Sequence, residues 1–270
     1  MRRFSIFCGL WLLLFAPAPA LALAILPTYT NLSADEEALI GFASAFWEAT
    51  ILDSFDVSIE IEKLALSGDT LALASDFVAG ADGRPASARI EIDDRVGDFG
   101  GWFIDPSPFD SSEFVLDHGR LMADPVGPAW LLYDLLTVMG HELGHALGFT
   151  VHYAAFASHV VTDGSGLRRY TSADLDVPLS SNGTHVPGAL YPSDLMNELT
   201  SIGERRTASA LDVLLLADAF GYDVVLPPPP PPVPEPTVTV LLVTAVAVAG
   251  ARRLGAEGRG RLNRKRTDLR

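Results

Sequence analysis

The stretch from residue 141 to residue 149, His-Glu-Leu-Gly-His-Ala-Leu-Gly-Phe, constrains this chain more than any other part of its sequence. His141 and His145 are four residues apart, so on an α-helix both imidazoles lie on one face. Glu142 follows the first histidine and completes an H-E-x-x-H pattern, in which the two histidines bind Zn²⁺ and the glutamate acts as a general base. The pattern therefore predicts a helix that carries part of a zinc site.

The residues around the two histidines are nearly all apolar, which predicts that this helix is buried. They are Leu135, Leu136, Val138, Met139, Leu143, Ala146 and Leu147. A buried histidine or glutamate needs a hydrogen-bond partner or a metal, so a solvated helix that happens to carry these side chains is disfavoured. We expect the helix to open at Gly127-Pro128-Ala129, with proline near its first turn, and to end at Gly148.

Capping residues and alternation predict further elements. Ser33 with Glu36 forms a capping box for a helix that ends near Trp47 or Thr50. Alternating apolar and polar residues predict strands over 56–62 and 88–93, with a third strand over 101–105.

The second half of the chain shows little regular pattern until its last helix. Glycine, proline and serine punctuate residues 150–197, which predicts irregular structure. Helical spacing returns over residues 207–220, and Gly221 closes that helix. Residues 25–226 are thus expected to form one α+β domain, a length compatible with a single core.

The first 24 residues are typical of a secretory signal peptide, with a basic start, an apolar run and small-x-small cleavage motifs. The only cysteine, Cys8, lies inside it, so no thiolate ligand and no disulfide is expected in the exported chain.

Residues 25–226 carry 31 acidic and 9 basic residues, a formal net charge of −22. Such a surface excludes nucleic acid as a partner. Six of the acids are candidate ligands for a structural Ca²⁺ ion, because calcium prefers oxygen ligands. Their spacing matches no known calcium loop, and the alternative is that they are solvated carboxylates. They are Asp93, Asp94, Asp98, Asp105, Asp110 and Glu113.

A catalytic zinc takes three protein ligands and keeps one position open, so a third ligand must come from elsewhere in the chain. The remaining histidines are His118, His152, His159 and His185. His118 and His159 have no special spacing and are predicted to be structural or surface residues.

Residues 141–148 resemble the start of the metzincin signature H-E-x-x-H-x-x-G-x-x-H, whose last histidine would fall at Val151. His152 stands one residue late. Gly183-Thr184-His185, followed by Ser193-Asp194-Leu195-Met196-Asn197, is similar to the leishmanolysin-like branch, in which the third histidine comes after an insertion and ahead of the Met-turn. The resemblance implies that His141, His145 and His185 bind zinc and that Met196 packs beneath the metal. The alternatives for the third zinc ligand are His152, His159 and Asp194.

The resemblance also implies a fold and a function. The fold would be a metzincin-like zincin domain, with a twisted mixed sheet, a zinc-binding active-site helix and a C-terminal half that contains the Met-turn. The function would be that of an exported zinc-dependent endopeptidase, in which Glu142 is the general base toward a zinc-activated water and a peptide or protein substrate adds as a strand beside the sheet. Tyr191 is a candidate to stabilise the oxyanion, with a core or surface tyrosine as the alternative.

Two other functions fit the same residues. One is that of a non-catalytic zinc-containing surface or extracellular-matrix protein. The other is hydrolysis of a non-peptide amide bond.

Residues 227–233 form a polyproline linker, a stiff extended spacer. Residues 234–270 combine Pro234-Glu235-Pro236, an apolar run and an arginine-rich tail, and resemble a PEP-CTERM sorting signal. This resemblance implies an exosortase-type processing enzyme in a Gram-negative bacterium and transient anchoring in the inner membrane, with the catalytic domain outside. An ordinary C-terminal transmembrane helix as anchor is the alternative, although the apolar run of 237–251 is shorter than the roughly 20 residues of a typical span.

Overall fold

The computed structural model describes residues 22–96 and 100–227. All of them belong to the first of two units into which the chain divides, at Pro229 and Pro230. The predicted signal peptide up to residue 21, the linker beyond residue 227 and the predicted sorting signal lie outside the described residues. Of the helices that the structure describes, none is both long and apolar enough to cross a bilayer.

The largest sheet has four strands in the order β1-β2-β4-β3. Its strands are β1 (Ala24–Thr30), β2 (Asp56–Leu64), β3 (Ala72–Ala79) and β4 (Pro85–Asp93). The first three in that order are parallel, and β3 runs antiparallel to β4 at the edge. The predicted strands over 56–62 and 88–93 are confirmed as β2 and β4.

Strand β1 begins before the predicted end of the signal peptide. Ala24 pairs with Asp56, its N–H donates to the carbonyl of Phe55 at 3.0 Å, and Leu23 is buried in the core. Leu23 and Ala24, which the sequence assigns to the signal peptide, are thus part of the described fold.

Two helices pack side by side on one face of this sheet. Helix α1 (Ala34–Thr50) begins at Ser33 with the predicted capping box, and helix α2 (Leu135–Ala146) lies beside it against β3 and β4. Isoleucines from β2 and β4 and leucines from both helices share one apolar core. The indole N–H of Trp47 donates to the carbonyl of Gly140 at 3.0 Å and fixes α1 against α2.

The predicted start of α2 is wrong. The helix begins at Leu135, where Asp134 is the N-cap and accepts from the N–H of Thr137 at 3.2 Å. Pro128 does not open it, because Leu131 has φ +63°, a left-handed conformation that a right-handed helix excludes. The predicted end is confirmed, since Gly148 follows the C-cap with φ +126°.

A second region joins residues 102–134 to residues 204–205. Its strands are β5 (Trp102–Phe103), β6 (Phe114–Asp117), β7 (Arg120–Ala123), β8 (Tyr133–Asp134) and β12 (Glu204–Arg205). Strand β5 pairs with β8, whereas β12, β7 and β6 form a three-stranded antiparallel sheet. Of the predicted strand over 101–105, only Trp102 and Phe103 have ladder pairing.

Residues 150–197 contain more regular structure than the sequence predicts. A short helix α3 (Ala154–Ala157) precedes an antiparallel sheet of β9 (Val160–Thr162), β10 (Arg168–Thr171) and β11 (Asp176–Pro178). These strands of three or four residues are too short to show alternation.

Helix α4 (Ala210–Phe220) begins at Ser209 and is closed by Gly221 at φ +67°, as predicted. The described residues thus form a mixed α+β fold with several small sheets and few helices, which confirms the predicted class.

Candidate metal centre

Three histidine side chains meet at one point between α2 and the loop that follows β11. The Nε2 atoms of His141 and His145 are 3.0 Å apart, and each lies 3.1 Å from Nε2 of His185. Within the described residues this is the one group of three or more histidine, cysteine or acidic side chains close enough to hold a metal ion.

Helix α2 supplies two of these rings. His141 and His145 are one turn apart, and both are buried together with almost the whole helix. His141 Nδ1 lies 2.7 Å from the carbonyl oxygen of Leu195, and His145 Nδ1 lies 2.7 Å from that of Phe149. A carbonyl only accepts, so each Nδ1 carries the proton and each Nε2 presents a lone pair to the centre.

The third ring comes from a tight loop. Gly183 has φ +76°, a left-handed conformation that favours glycine. The loop closes through the N–H of Ser180, which donates to the carbonyl of His185 at 2.9 Å. His185 Nδ1 is 3.1 Å from Thr184 Oγ1, which can accept its proton, and 3.2 Å from Asn182 Nδ2.

This donor set fits a zinc ion. A tetrahedral site with Zn–N bonds of about 2.0–2.1 Å places its nitrogens about 3.3 Å apart, close to the separations found here. Two lone pairs 3.0 Å apart in a buried site repel each other unless a cation lies between them. The half-exposed ring of His185 leaves one side of the cluster open to solvent.

The rings are held in the neutral form that a metal requires. Burial lowers the pKa of His141 to about 4 and that of His185 to about 3. Burial, followed by the two neighbouring rings, lowers the pKa of His145 well below its usual value. All three imidazoles are thus free of the second proton at neutral pH, and no proton competes for their lone pairs.

Glu142 lies between α2 and the edge strand β3. Burial raises the pKa of its carboxyl to about 7, and a hydrogen bond from the backbone of Ala74 in β3 opposes that shift. Among the described ion pairs none involves Glu142. A buried carboxyl with a pKa near 7 is suited to accept and return a proton at neutral pH.

Met196 packs under the middle of α2. Its side chain is fully buried, and a Cβ on Gly144 would lie 2.5 Å from its Sδ atom. Gly144, which lies between the two histidines in the sequence, therefore makes room for the sulfur. The carbonyl of Met196 accepts from the N–H of Val186 at 2.9 Å, next to His185. The methionine segment thereby joins the helix to the loop of the third histidine.

The other predicted candidates lie elsewhere. His152 is exposed and stacks on Phe77 at 5.2 Å, whereas His159 stacks on Tyr170 at 4.9 Å. His118 is exposed beside Asp117. None of these three rings joins the cluster.

Two further predicted residues also stay out of the cluster. Asp194 does not belong to it, and Tyr191 is half-buried against the core.

The acids considered for calcium do not gather in the described parts of the chain; Asp98 lies outside them. Asp105 instead forms a buried ion pair with Arg205 at 2.6 Å, and Asp110 accepts from the N–H of Ser112 at 3.0 Å. The sequence does not predict this use of Asp105, because its partner Arg205 is 100 residues away.

Several supporting residues escape prediction from the sequence. Arg205 binds both Asp105 and Asp134, the N-cap of α2, and its guanidinium lies 4.3 Å above the ring of Phe114. Asp134 has a local signal as a helix cap, and so has Asp212 in α4, because Ser209-x-x-Asp212 has the spacing of a capping box.

Comparison with known proteins adds no assignment: no model of a known protein family matches this chain, and no curated protein does.

Proposed function

We propose that this chain is an exported, zinc-dependent endopeptidase of the metzincin type, with a leishmanolysin-like third histidine. The observation that carries the proposal is the triangle of His141, His145 and His185, whose Nε2 atoms lie 3.0–3.1 Å apart. Glu142, the residue after His141 on α2, is also buried.

Three features of the fold support the metzincin type. The active-site helix ends at Gly148, after which the chain turns away. The ligand His185 precedes Met196, and that methionine packs beneath the helix, as the resemblance implies. The mixed sheet places its antiparallel edge strand, β3, next to the helix.

Zinc, when bound, would activate water and polarise the scissile carbonyl. Glu142 then takes a proton from the attacking water and returns it to the leaving amine. Because Glu142 is buried next to His141 on the helix, the proton that it transfers is shielded from bulk water.

The substrate is expected to lie along β3. This strand pairs with β4 on one side, and its other edge faces Glu142 through the backbone of Ala74. An extended peptide can add to such an edge by main-chain hydrogen bonds. We therefore propose a peptide or protein substrate.

The ends of the chain support export. The signal peptide would carry the domain across the inner membrane, and the PEP-CTERM-like segment would hold it there until an exosortase-type enzyme acts. The site would then face the cell exterior or the extracellular matrix.

The direct test is Glu142→Ala in the full-length chain. Zinc content by elemental analysis should stay at one per chain, because no ligand is removed. Peptide hydrolysis should fall by about 10²–10⁴-fold, the usual contribution of a general base.

The control is a chelator added to the wild type, which should abolish the same cleavage. Zinc without any chelator-sensitive cleavage in the wild type would favour the non-catalytic surface protein instead. Unchanged cleavage by the alanine variant would contradict the role of Glu142.

A further inference from the structure

A single buried carboxylate holds the segment that lies under the metal centre. Asp212, in the first turn of α4, is fully buried, and its Oδ2 atom accepts from the N–H of Leu195 at 3.0 Å. Its Oδ1 atom accepts from the N–H of Met196 at 3.3 Å. Oδ2 also accepts from the N–H of Ser209 at 2.8 Å, which is the ordinary capping contact.

The carbonyl of one of these residues contacts a histidine ring, and the carbonyl of the other contacts the residue that follows His185. The carbonyl of Leu195 receives the Nδ1 proton of His141 at 2.7 Å. The carbonyl of Met196 receives the N–H of Val186, which follows His185 directly. Asp212 therefore holds the two residues whose carbonyls contact the ring of His141 and the backbone next to His185.

We infer that Asp212 is a positioning residue for the metal centre, which sets the zinc affinity by fixing the 195–196 backbone that orients the ring of His141 and pairs with the residue after His185. This inference rests on the metal site of the proposed function, but not on peptide cleavage. Partners of this kind fix the ring orientation and the tautomer of a histidine ligand.

The competing view is that Asp212 only caps α4. A variant of the neighbouring cap residue, Ser209, distinguishes the two roles. Ser209 Oγ accepts from the N–H groups of Leu211 and Asp212 at 3.1 Å, and it meets the neighbouring segment through the side chain of Asp194 rather than through the N–H groups of Leu195 or Met196. Ser209→Ala thus removes the cap bonds and the contact with Asp194, but leaves both bonds from Asp212 to the 195–196 backbone in place.

The decisive variant is Asp212→Asn in the full-length chain. An asparagine has a single oxygen, so it cannot accept from all three backbone N–H groups, and its NH₂ must face one of them. Because burial and the neighbouring Asp194 raise the pKa of Asp212 to about 7, the comparison is made at pH 8, where the wild-type carboxyl is ionised.

The measurement is the dissociation constant for zinc, by competition with a chromophoric chelator, together with the thermal midpoint of each metal-free chain. Asp212→Asn should raise the zinc Kd by about 10-fold or more, the usual effect of a partner residue behind a ligand. Ser209→Ala should lower the thermal midpoint and leave the zinc Kd unchanged. Should Asp212→Asn fail to fold, Asp212→Glu, which keeps the charge but displaces it by one methylene, is expected to raise the Kd in the same way.

Two results would overturn the inference alone: an unchanged zinc Kd in the folded Asp212 variant, or an equal rise in Ser209→Ala. A wild-type chain that takes up no zinc would overturn both this inference and the proposed function. Zinc uptake without cleavage would overturn the peptidase and leave the role of Asp212 to be decided by the two variants.

Discussion

The proposed metal centre has two unlike halves: the helix pair, His141 and His145, and the loop histidine, His185. His141 and His145 are buried on α2, and each ring donates to a backbone carbonyl at 2.7 Å. His185 is half-exposed, and its Nδ1 atom faces two side chains at 3.1 and 3.2 Å. The helix pair is therefore oriented by the main chain, whereas the loop histidine depends on side chains that substitution can remove.

The largest expected effect comes from removing the loop histidine itself. His185→Ala should strip zinc from the purified chain, because two imidazoles are left where three are needed. The matched control is His152→Ala, whose exposed ring stacks on Phe77 outside the cluster and whose loss should leave one zinc per chain by elemental analysis. The reverse pattern would move the site to the shorter metzincin spacing.

The helix that carries His141 and His145 should lose stability when a distant buried cation is removed. Arg205→Met leaves Asp105 and Asp134 buried without their cation, and Asp134 caps the helix that carries both rings. We expect a loss of about 3–5 kcal/mol in the free energy of unfolding, since one partner of a buried pair is removed. Chemical denaturation measures it, and Arg169→Met, at an ion pair with the exposed Asp176, serves as the control with little change.

A smaller effect should follow when the support of His185 is weakened. Asn182→Ala removes the side-chain oxygen that accepts from the N–H of Thr184 at 3.0 Å and from the hydroxyl of Ser180 at 2.6 Å, and so loosens the loop that presents His185. The zinc Kd should rise by about 10-fold, or about 1.4 kcal/mol, as for other residues behind a ligand. An unchanged Kd would show that the loop holds the ring without this side chain.

The smallest effect is expected at acidic pH and concerns Glu36, in the first turn of α1. Burial tends to raise the pKa of Glu36, but the hydrogen bonds from Lys63 and Ser33 outweigh it and lower the pKa below 4.5. Its contribution is thus fully present above pH 4.5 and is lost as the pH falls through its folded-state pKa. Thermal midpoints from pH 3 to 7 should show a flatter acid limb in Glu36→Gln than in the wild type.

The exposed Asp35, next along the chain, supplies the control for this comparison. Asp35→Asn should keep the wild-type acid limb. Parallel curves for wild type and Glu36→Gln would contradict the assignment.

The helix pair and the loop histidine also differ in how well the sequence predicts them. Local patterns predict α1, α4, β2 and β4, because caps and alternation depend on neighbouring residues. The helix pair was predictable in the same way from its four-residue spacing. His185 was placed only by its order ahead of Met196, and no local pattern marks it.

Other features depend on contacts between distant residues. The bond between Glu142 and Ala74 joins positions 68 apart, and Asp212 reaches Leu195 from 17 residues away. Strand β1 escaped prediction because its first residue, Ala24, was assigned to the signal peptide and Pro27 breaks the alternation. The proline is tolerated because β1 is an edge strand. The start of α2 was misplaced because Pro128 is a stronger local signal than the Asp134 cap.

X-ray absorption at the zinc edge of the full-length chain tests the central claim most directly. Three imidazole nitrogens at about 2.0–2.1 Å are expected in the wild type, with one fewer in His185→Ala if any metal is retained. Two imidazoles in the wild type, or the same count in both chains, would contradict a metal centre formed by His141, His145 and His185.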